Sequence, residues 1–386
     1  MPTLTGVRPP EALYLHVPFC PQVCPYCDFH KMRRHEGLVA RYLERIEAEA
    51  AALAARFPGP LRTLYLGGGT PSHLDDGELA RVLAAVRRGW GGLGSLETTL
   101  EADPGTFDER RAARWRDQGV TRLSIGAQST QDAVLRFLGR SHSGVEALRA
   151  IDDALAAGLH VSADVITAVP GQDARRDLEA VAASGAQHVS VYTLTVEPFT
   201  PFAQRGVEID EERSADDYEL AESVLAAHGL ERYEVSNHAR GGFESHHNRA
   251  YWRGDWWLAL GPSAAGFEPP TPSDPPGTLA VRTRNGPIKT WLLGAAPERT
   301  PIDGPTLALE LLMTGLRTRE GVDLAALRER CGVDVAERTP RALELGLRHD
   351  LLALEGARLR STRTGLPRLN AVLRRFFEEA GQAEAS

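Results

Sequence analysis

Short apolar runs alternate with longer amphipathic stretches over the first half of the chain. The stretches between the runs, such as LVARYLERIEAEAAALAARF and GVEALRAIDDALAAG, place apolar residues three and four positions apart, which predicts helices. Repeated strand–helix units predict a parallel sheet with helices outside it, because parallel neighbours need crossover connections. Six units predict an α/β fold built as an open partial barrel, an incomplete (β/α)6 arrangement. The strand-like runs, bounded by Gly or Pro near their carboxyl ends, are ALYLHV, TLYLGGG, ETTLEADP, TRLSIGAQ, HVSADVITAVPG and HVSVYTLTVEP.

The second half of the chain is less regular. It contains a predicted helix near residues 213–228, a short predicted strand RYEVS, and an aromatic-rich segment HHNRAYWRGDWWLALGPSAAGF. The run PPTPSDPPG at 269–277 predicts an exposed loop. Beyond residue 300 the helical patterns LALELLMTGLRT, LAALRERC and PRALELGLRHD precede a predicted hairpin, LLALEGARLRST, and a last helix, LPRLNAVLRRFF. Helices followed by a hairpin predict a small α+β domain that resembles a winged helix.

These patterns divide the chain into five parts. We expect a tail over 1–11, the partial barrel over 12–240, a connecting segment over 241–300, the winged-helix-like domain over 301–380 and a tail over 381–386.

Composition narrows the classes of function. The 386 residues carry a formal net charge of -8, and no Lys/Arg run offsets it, so we expect no nucleic-acid partner even for a winged-helix-like domain. The N-terminal residues do not resemble a signal peptide, and no run is long and apolar enough for a membrane span. The sequence therefore predicts a cytoplasmic protein.

Three cysteines lie on one short loop directly after the first predicted strand. Cys20, Cys24 and Cys27 have CxxxCxxC spacing, and no fourth cysteine lies nearby. Three thiolates can hold three irons of a [4Fe–4S] cluster and leave the fourth iron open. An open iron can chelate the amine and carboxylate of S-adenosylmethionine (SAM), which is then cleaved reductively to a 5′-deoxyadenosyl radical.

Two other interpretations of the cysteine loop compete with the cluster. A zinc site would use the three thiols with His30, although structural zinc sites usually draw ligand pairs from two separated knuckles. Ordinary core cysteines do not suit a loop interrupted by several prolines. A c-type haem attachment is excluded, because Asp28 rather than histidine follows the CPYC run. The fourth cysteine, Cys331, is predicted to be a buried apolar residue.

Polar residues and glycines mark the carboxyl ends of the other predicted strands. Gly67 to Gly69 and Thr70 end one strand, where glycine lets backbone groups approach a ligand without Cβ interference. Glu101, Gln128, Arg140 and Asp164 supply the acceptors and the cation that the ammonium, hydroxyl and carboxylate groups of SAM require. Chemistry collects at this edge in parallel α/β folds, so we expect these residues to converge.

A second group of residues is rich in rings. His246, His247, Asn248, Tyr251 and Trp252 are compatible with ordinary core packing, but together they also suit a flat, partly apolar ligand with histidine available to an iron centre.

The motifs YLHVPFCPQVCPYCDF, GGGTP, EADPG, IGAQS, LGRSH and DVITAVPGQ together resemble the radical SAM superfamily, in its oxygen-independent coproporphyrinogen III oxidase-like branch. The resemblance covers about residues 12–380 and implies an incomplete (β/α)6 barrel with a cluster on the three cysteines. One departure is Thr167-Ala168, where relatives commonly have Phe-Gly, and it bears on strand packing. The resemblance implies SAM contacts from Tyr14, Tyr26, Gly68, Gly69, Thr70, Glu101, Gln128, Arg140 and Asp164.

Within that branch the chain resembles haem chaperones more than oxidases. The oxidases carry a further cysteine two positions beyond the third, where this chain has Phe29, and they have a longer N-terminal segment. Residues 247–252 also resemble the HNxxYW signature of the chaperones. The resemblance implies haem bound with His247 as first and His246 as second candidate ligand.

We therefore expect haem as ligand, acceptor haemoproteins, including membrane-associated respiratory proteins, as partners, and flavodoxin or ferredoxin as reductant if SAM is cleaved. The alternatives are oxidative decarboxylation of coproporphyrinogen III and a zinc-dependent structural or regulatory module. The sequence leaves open whether the chain is an enzyme.

Overall fold

The computed structural model describes residues 9–92 and 96–384, with side chains through residue 381. Residues 1–8 and 385–386 of the predicted tails lie outside the described residues. The strands are β1 Ala12–Val17, β2 Phe19–Cys20, β3 Met32–Arg33, β4 Thr63–Gly68, β5 Glu97–Ala102, β6 Arg122–Gln128, β7 His160–Thr167, β8 His188–Thr193, β9 Glu231–Arg232, β10 Asn237–Ala239, β11 Trp257–Leu260, β12 Ala265–Glu268, β13 Ala280–Arg284, β14 Glu298–Ile302, β15 Val322–Asp323, β16 Leu352–Glu355 and β17 Arg358–Ser361.

The helices alternate with the strands of the barrel and then dominate the last third of the chain. Short 3-10 helices lie at Pro71–His73 and Leu366–Arg368. The α-helices are α1 Glu36–Arg56, α2 Asp76–Trp90, α3 Glu109–Asp117, α4 Asp132–Phe137, α5 Gly144–Ala156, α6 Ala174–Ala183, α7 Pro201–Gln204, α8 Glu211–Ala227, α9 His246–Arg253, α10 Ile288–Leu292, α11 Gly304–Gly315, α12 Leu324–Cys331, α13 Val335–Arg338, α14 Pro340–Arg348 and α15 Leu369–Glu384.

The predicted six-stranded parallel unit is confirmed. Strands β1, β4, β5, β6, β7 and β8 lie side by side in that order and are all parallel. Helices α2 and α5 begin at capping boxes, Asp75 with Glu78 and Ser143 with Glu146, in which each side chain accepts a hydrogen bond from the other residue's backbone N–H. The parallel order brings the carboxyl ends of all six strands to one edge of the barrel.

The sheet continues beyond these six strands at both edges. β11 pairs parallel to the free side of β1, and β12, β13 and β14 follow in antiparallel order, so the whole sheet has 12 strands. The aromatic-rich segment contributes a helix, α9, and a strand of the large sheet, β11.

At the opposite edge the predicted strand RYEVS is wrong in its position. The short antiparallel strands β9 and β10 flank most of that run, and residues 233–236 form the turn between them. The chain must reverse within this run for β10 to pair with both β9 and β8.

The final third forms a second core of its own helices and the sheet β15-β17-β16, which confirms the predicted small α+β domain. Phe267, Ala280 and Ile302 from strands β12 to β14 belong to the same core, so this domain packs directly on the extension of the large sheet. Cys331 is buried there, as predicted. Among the described residues, no helix combines the length and the hydropathy that crossing a bilayer would need.

Candidate functional site

The cysteine loop lies at the carboxyl edge of the barrel. Cys20 ends β2, Cys20 and Cys24 are buried, Cys27 is partly exposed, and all three are free thiols. Burial raises the pKa of Cys20 to about 11, with smaller contributions from Asp103 and from the two other cysteines. The three thiols are thus near enough to repel one another once ionised. A bound cation or cluster would remove that repulsion.

The histidine that a zinc site would add to the three thiols, His30, has another partner in this structure. The ring of His30 instead accepts a hydrogen bond from the backbone N–H of Ile288, over 3.4 Å from nitrogen to nitrogen.

The glycine loop packs directly against the cysteine loop. A Cβ on Gly69 would lie 2.9 Å from the Cys20 sulfur, and a Cβ on Gly68 would lie 2.4 Å from the ring of His16. Gly68 also has a φ of 115°, which L side chains rarely adopt. The backbone N–H of Thr70 donates to the carbonyl of Phe19 over 2.8 Å, which ties the two loops together. These glycines form a cradle that any side chain would fill.

Asp103 organises the charged part of the site and was not among the residues that the sequence singled out. Its carboxylate accepts a hydrogen bond from the Thr70 hydroxyl over 3.2 Å and is bonded to the guanidinium of Arg140. Arg140 also lies 3.6 Å from the Cys24 sulfur. A Cβ on Gly126 would contact Gln128, Asp103 and Arg140 at once. The EADPG motif was the available signal, since Asp103 follows Glu101 by two positions on the same face of the strand end.

Two partly buried carboxyl groups lie inside the barrel just below the loops. Glu101 accepts hydrogen bonds from the Tyr65 hydroxyl and from the Gly68 backbone N–H, each over 2.9 Å. The Ser124 hydroxyl donates its single proton to the carboxylate of Asp164, whose two oxygens lie 3.2 and 3.1 Å from the hydroxyl oxygen. Burial raises the pKa of Glu101 to about 7 and that of Asp164 to about 6. Both groups are therefore placed to hold a proton near neutral pH.

Three further expected residues lie around this core. Tyr14 donates its hydroxyl to His16, 2.9 Å away, and His16 in turn donates to the carbonyl of His30 in the cysteine loop. Tyr26, within that loop, packs on Phe202. Gln128 ends β6 with a φ of 62°, in the left-handed region. The structure thus gathers the residues expected to contact SAM around the three cysteines.

The departure at Thr167-Ala168 has a structural counterpart. Ala168 has a φ of 59°, a conformation in which glycine is free and alanine costs about 1 kcal/mol. Its backbone N–H donates to buried Asp217 over 2.9 Å, which holds the strained residue in place.

The pKa of Glu101 makes stability depend on pH. Between its usual value of 4.5 and about 7 the folded chain binds more protons at Glu101 than the unfolded chain, so stability falls as pH rises. The stabilisation that comes from protonated Glu101 is fully present below pH 4.5 and is lost as the pH rises through about 7. Between about pH 5 and pH 7.5 the titration of Glu101 should lower the free energy of unfolding of the wild type by about 2 kcal/mol. Glu101→Gln should not show this part of the decrease. Urea unfolding at both pH values measures it, with exposed Glu109→Gln as the control. An unchanged slope in Glu101→Gln would contradict the prediction.

The ring-rich group lies at the other end of the strands. Ser245 caps α9, and the Glu97 carboxylate accepts hydrogen bonds from the backbone N–H groups of His246 and His247, each over 2.9 Å. Glu97 and Thr63 are the first residues of β5 and β4. α9 therefore closes the amino-terminal end of the barrel, roughly 16 Å along β4 from the glycine loop.

His247 is fully buried inside the barrel. Its Nδ1 lies 2.8 Å from the Thr63 hydroxyl and its Nε2 lies 2.7 Å from the Tyr251 hydroxyl, so both ring nitrogens are engaged. The ring stacks on Tyr65 with centroids 5.1 Å apart. Burial, followed by the charge of Arg122, lowers the pKa of His247 to about 3. The imidazole is therefore neutral and held by its neighbours.

The other members of the group differ in exposure. His246 is exposed and borders a cleft of about 1380 Å³ at this end of the barrel. Trp252 lies beside buried Glu234, and the backbone N–H of Asn248 donates to the Ser245 hydroxyl over 3.2 Å. The structure thus brings the five residues together on α9, but only His246 presents an exposed imidazole.

Family models and known proteins match most of the chain. Residues 14–183 match the family model of the radical SAM superfamily, and residues 302–368 match the HemN C-terminal domain. The heme chaperone HemW of Synechocystis is 36% identical over 342 residues, covering 82% of this chain and 80% of the relative. The heme chaperone HemW of Bacillus subtilis is 31% identical over 361 residues, covering 88% and 93%.

A solved structure agrees on the fold. The coproporphyrinogen III oxidase HemN from Escherichia coli, described as a radical SAM enzyme, superposes with a TM-score of 0.81 at 20% identity, covering 95% of this chain and 90% of that chain. By sequence, fold and motifs, the chain belongs to the HemW heme chaperone family within the radical SAM superfamily.

Proposed function

We propose that this protein binds haem, carries a [4Fe–4S] cluster with SAM at the opposite end of its barrel, and transfers haem to acceptor haemoproteins. The observation that carries the proposal is the pairing of two separate sites in one barrel. One is a three-cysteine loop beside a glycine cradle, and the other is a histidine-bearing helix beside an open cleft.

The residues at the carboxyl edge fit the cluster and SAM. Cys20, Cys24 and Cys27 would ligate three irons, and the open iron with SAM supplies one-electron reductive chemistry when both are bound. Arg140, held by Asp103, is a cation for the SAM carboxylate, while Glu101 offers an acceptor inside the barrel. A flavodoxin or ferredoxin would supply the electron if SAM is cleaved.

The geometry favours His246 over His247 as the haem ligand. Ligation by His247 would require its ring to leave both hydrogen bonds and the stack on Tyr65. His246 lies one residue earlier, with an exposed ring at the cleft. We therefore assign the iron to His246 and give His247 the task of fixing α9 to the barrel. Acceptors such as membrane-associated respiratory haemoproteins remain part of the proposal through family resemblance.

Haem titration of single variants tests the ligand. We expect His246→Ala to shift the Soret band and to weaken haem binding about tenfold or more, because the iron loses a ligand. We expect His247→Ala to lower the free energy of unfolding by about 3 kcal/mol through the cavity and unpaired hydroxyls it leaves. Exposed His349→Ala is the matched control. An unchanged Soret band and affinity in His246→Ala would remove His246 as ligand.

The competing function is oxidative decarboxylation of coproporphyrinogen III, whose enzyme shares the fold. Phe29, in place of the further cysteine of the oxidases, is 62% exposed at the cysteine loop. Reconstituted protein with SAM, a reductant and coproporphyrinogen III should form no protoporphyrinogen, while the haem-loaded protein should restore an apo-haemoprotein. Catalytic formation of protoporphyrinogen would overturn the chaperone proposal.

A further inference from the structure

Arg122 is a buried arginine without an ion-pair partner among the described residues. It begins β6, only 4% of it is exposed, and it lines the cleft beside α9. No side-chain hydrogen bond and no ion pair within 4.0 Å joins it to another described residue, although its charge partly offsets the rise in the pKa of Asp164 inside the barrel. Arginine keeps its charge under all ordinary conditions, and buried arginines are almost always paired. An unpaired guanidinium at a cleft wall is therefore a site for an anion from outside the chain.

Three of the four acidic side chains that line the cleft have partners other than Arg122. Glu97 accepts hydrogen bonds from the N-terminus of α9, Glu11 is paired with Arg62 over 2.9 Å, and Glu244 accepts from the Gly242 backbone N–H over 3.1 Å. None of these three carboxylates forms an ion pair with Arg122 in the described structure.

The other arginines of the cleft already have partners. Arg249 and Arg253 both bond to Glu320. Arg330 donates to the carbonyl of Gly254 over 2.7 Å and stacks on Trp256. Of the arginines that line the cleft in the described structure, Arg122 is thus the one whose guanidinium donors have no partner in the protein.

The cleft also has the size and walls for a large ring system. Its volume of about 1380 Å³ exceeds what a simple anion needs, and Leu96, Phe243, Trp256 and Leu279 contribute apolar surface. His246 lies on its border. A ligand with a flat apolar body and a carboxylate satisfies the rings and the guanidinium together.

We propose that Arg122 binds a propionate carboxylate of the porphyrin in this cleft, at the amino-terminal end of the barrel strands. The inference rests on the proposed haem-binding function and adds to it a place and a carboxylate-recognising residue. It also predicts that the cleft prefers a porphyrin with ionised propionates to one whose propionates are esterified.

Haem and its dimethyl ester, in which both carboxylates are blocked, are the probes. The wild type should bind haem about tenfold or more tighter than the ester, because the ester cannot form a charge-assisted pair. Arg122→Gln should weaken haem binding by a similar factor and leave ester binding unchanged, so that the preference disappears. Arg122→Lys should keep part of it, because lysine retains the charge without the forked donors. Arg41→Gln, on the exposed face of α1, should behave like the wild type.

The outcomes separate the two proposals. Equal binding of haem and ester by the wild type, or an undiminished preference in Arg122→Gln, would overturn the role of Arg122 and leave haem binding intact. A wild type that binds neither probe would overturn the proposed function itself. If Arg122→Gln does not fold, the wild-type comparison of the two probes and the Arg122→Lys variant decide the question.

Discussion

Cys24→Ser should yield a folded protein without an iron–sulfur cluster. Cys24 is buried in the loop and its sulfur lies 3.6 Å from Arg140. Serine oxygen is a poor ligand for this cluster, and two remaining thiolates cannot hold a cube with one open iron. We expect iron and sulfide, measured after anaerobic reconstitution, to fall to background, and the spectral response to SAM to disappear with them.

Cys331→Ser is the matched control for this variant. Cys331 is equally buried but lies in the second core, away from the barrel mouth. Its replacement should cost about 1 kcal/mol of stability and leave iron, sulfide and the SAM response unchanged. A Cys24→Ser protein that keeps a full cluster would contradict the assignment of the three thiols, and a Cys331→Ser protein that loses it would show that the measurement reports folding instead.

Asp177→Ala should destabilise the protein by about 4 kcal/mol and weaken SAM binding together with it. Asp177 is fully buried in the first turn of α6. Its carboxylate accepts hydrogen bonds from the hydroxyl of Ser129, the backbone and hydroxyl of Thr130, and the side chain of Gln172, over 2.6 to 2.8 Å. Alanine would leave the donors of Ser129 and Thr130 without this acceptor, while Gln172 would keep its bond to the Ile166 carbonyl.

The effect on SAM follows from the position of Gln128. That residue directly precedes Ser129 and has a left-handed backbone, which the bonds to Asp177 stabilise. Urea unfolding and SAM titration of the reconstituted protein measure the two effects. Asp177→Asn, which keeps one acceptor oxygen, should be intermediate, and exposed Asp216→Ala should lie within about 0.5 kcal/mol of the wild type. An Asp177→Ala variant as stable as Asp216→Ala would refute the role of this network.

The sequence was sufficient to predict the parallel barrel, because each of its strands is a compact apolar run ended by Gly or Pro. The three cysteines, the glycine loop and Glu101 follow those runs directly, so their common edge could be predicted with the strands. The helices and the hairpin of the last third could likewise be predicted from the local pattern of apolar and polar residues.

Contacts between distant segments could not be predicted in this way. β11 has only four residues, and its neighbour β1 lies near the other end of the chain. Two adjacent histidines at the start of a helix differ completely in exposure, and only the packing of α9 on β4 decides which one is inside. Asp177 has the sequence context of an exposed acidic residue in a helix's first turn, and Arg122 that of a charge opening a strand. Their roles depend on segments that the sequence does not place beside them.

The parallel pairing of β11 with β1 has a consequence for synthesis of the protein. At usual rates of translation, β11 leaves the ribosome on the order of 10 to 40 seconds after β4. Through that interval the nascent chain presents the edge of β1 without its second neighbour, with Leu13 and Leu15 among the side chains that the finished sheet buries. Such an edge invites pairing with other chains. The edge of β1 is therefore covered only when β11 has been synthesised. Until then the nascent chain is exposed to aggregation through this edge.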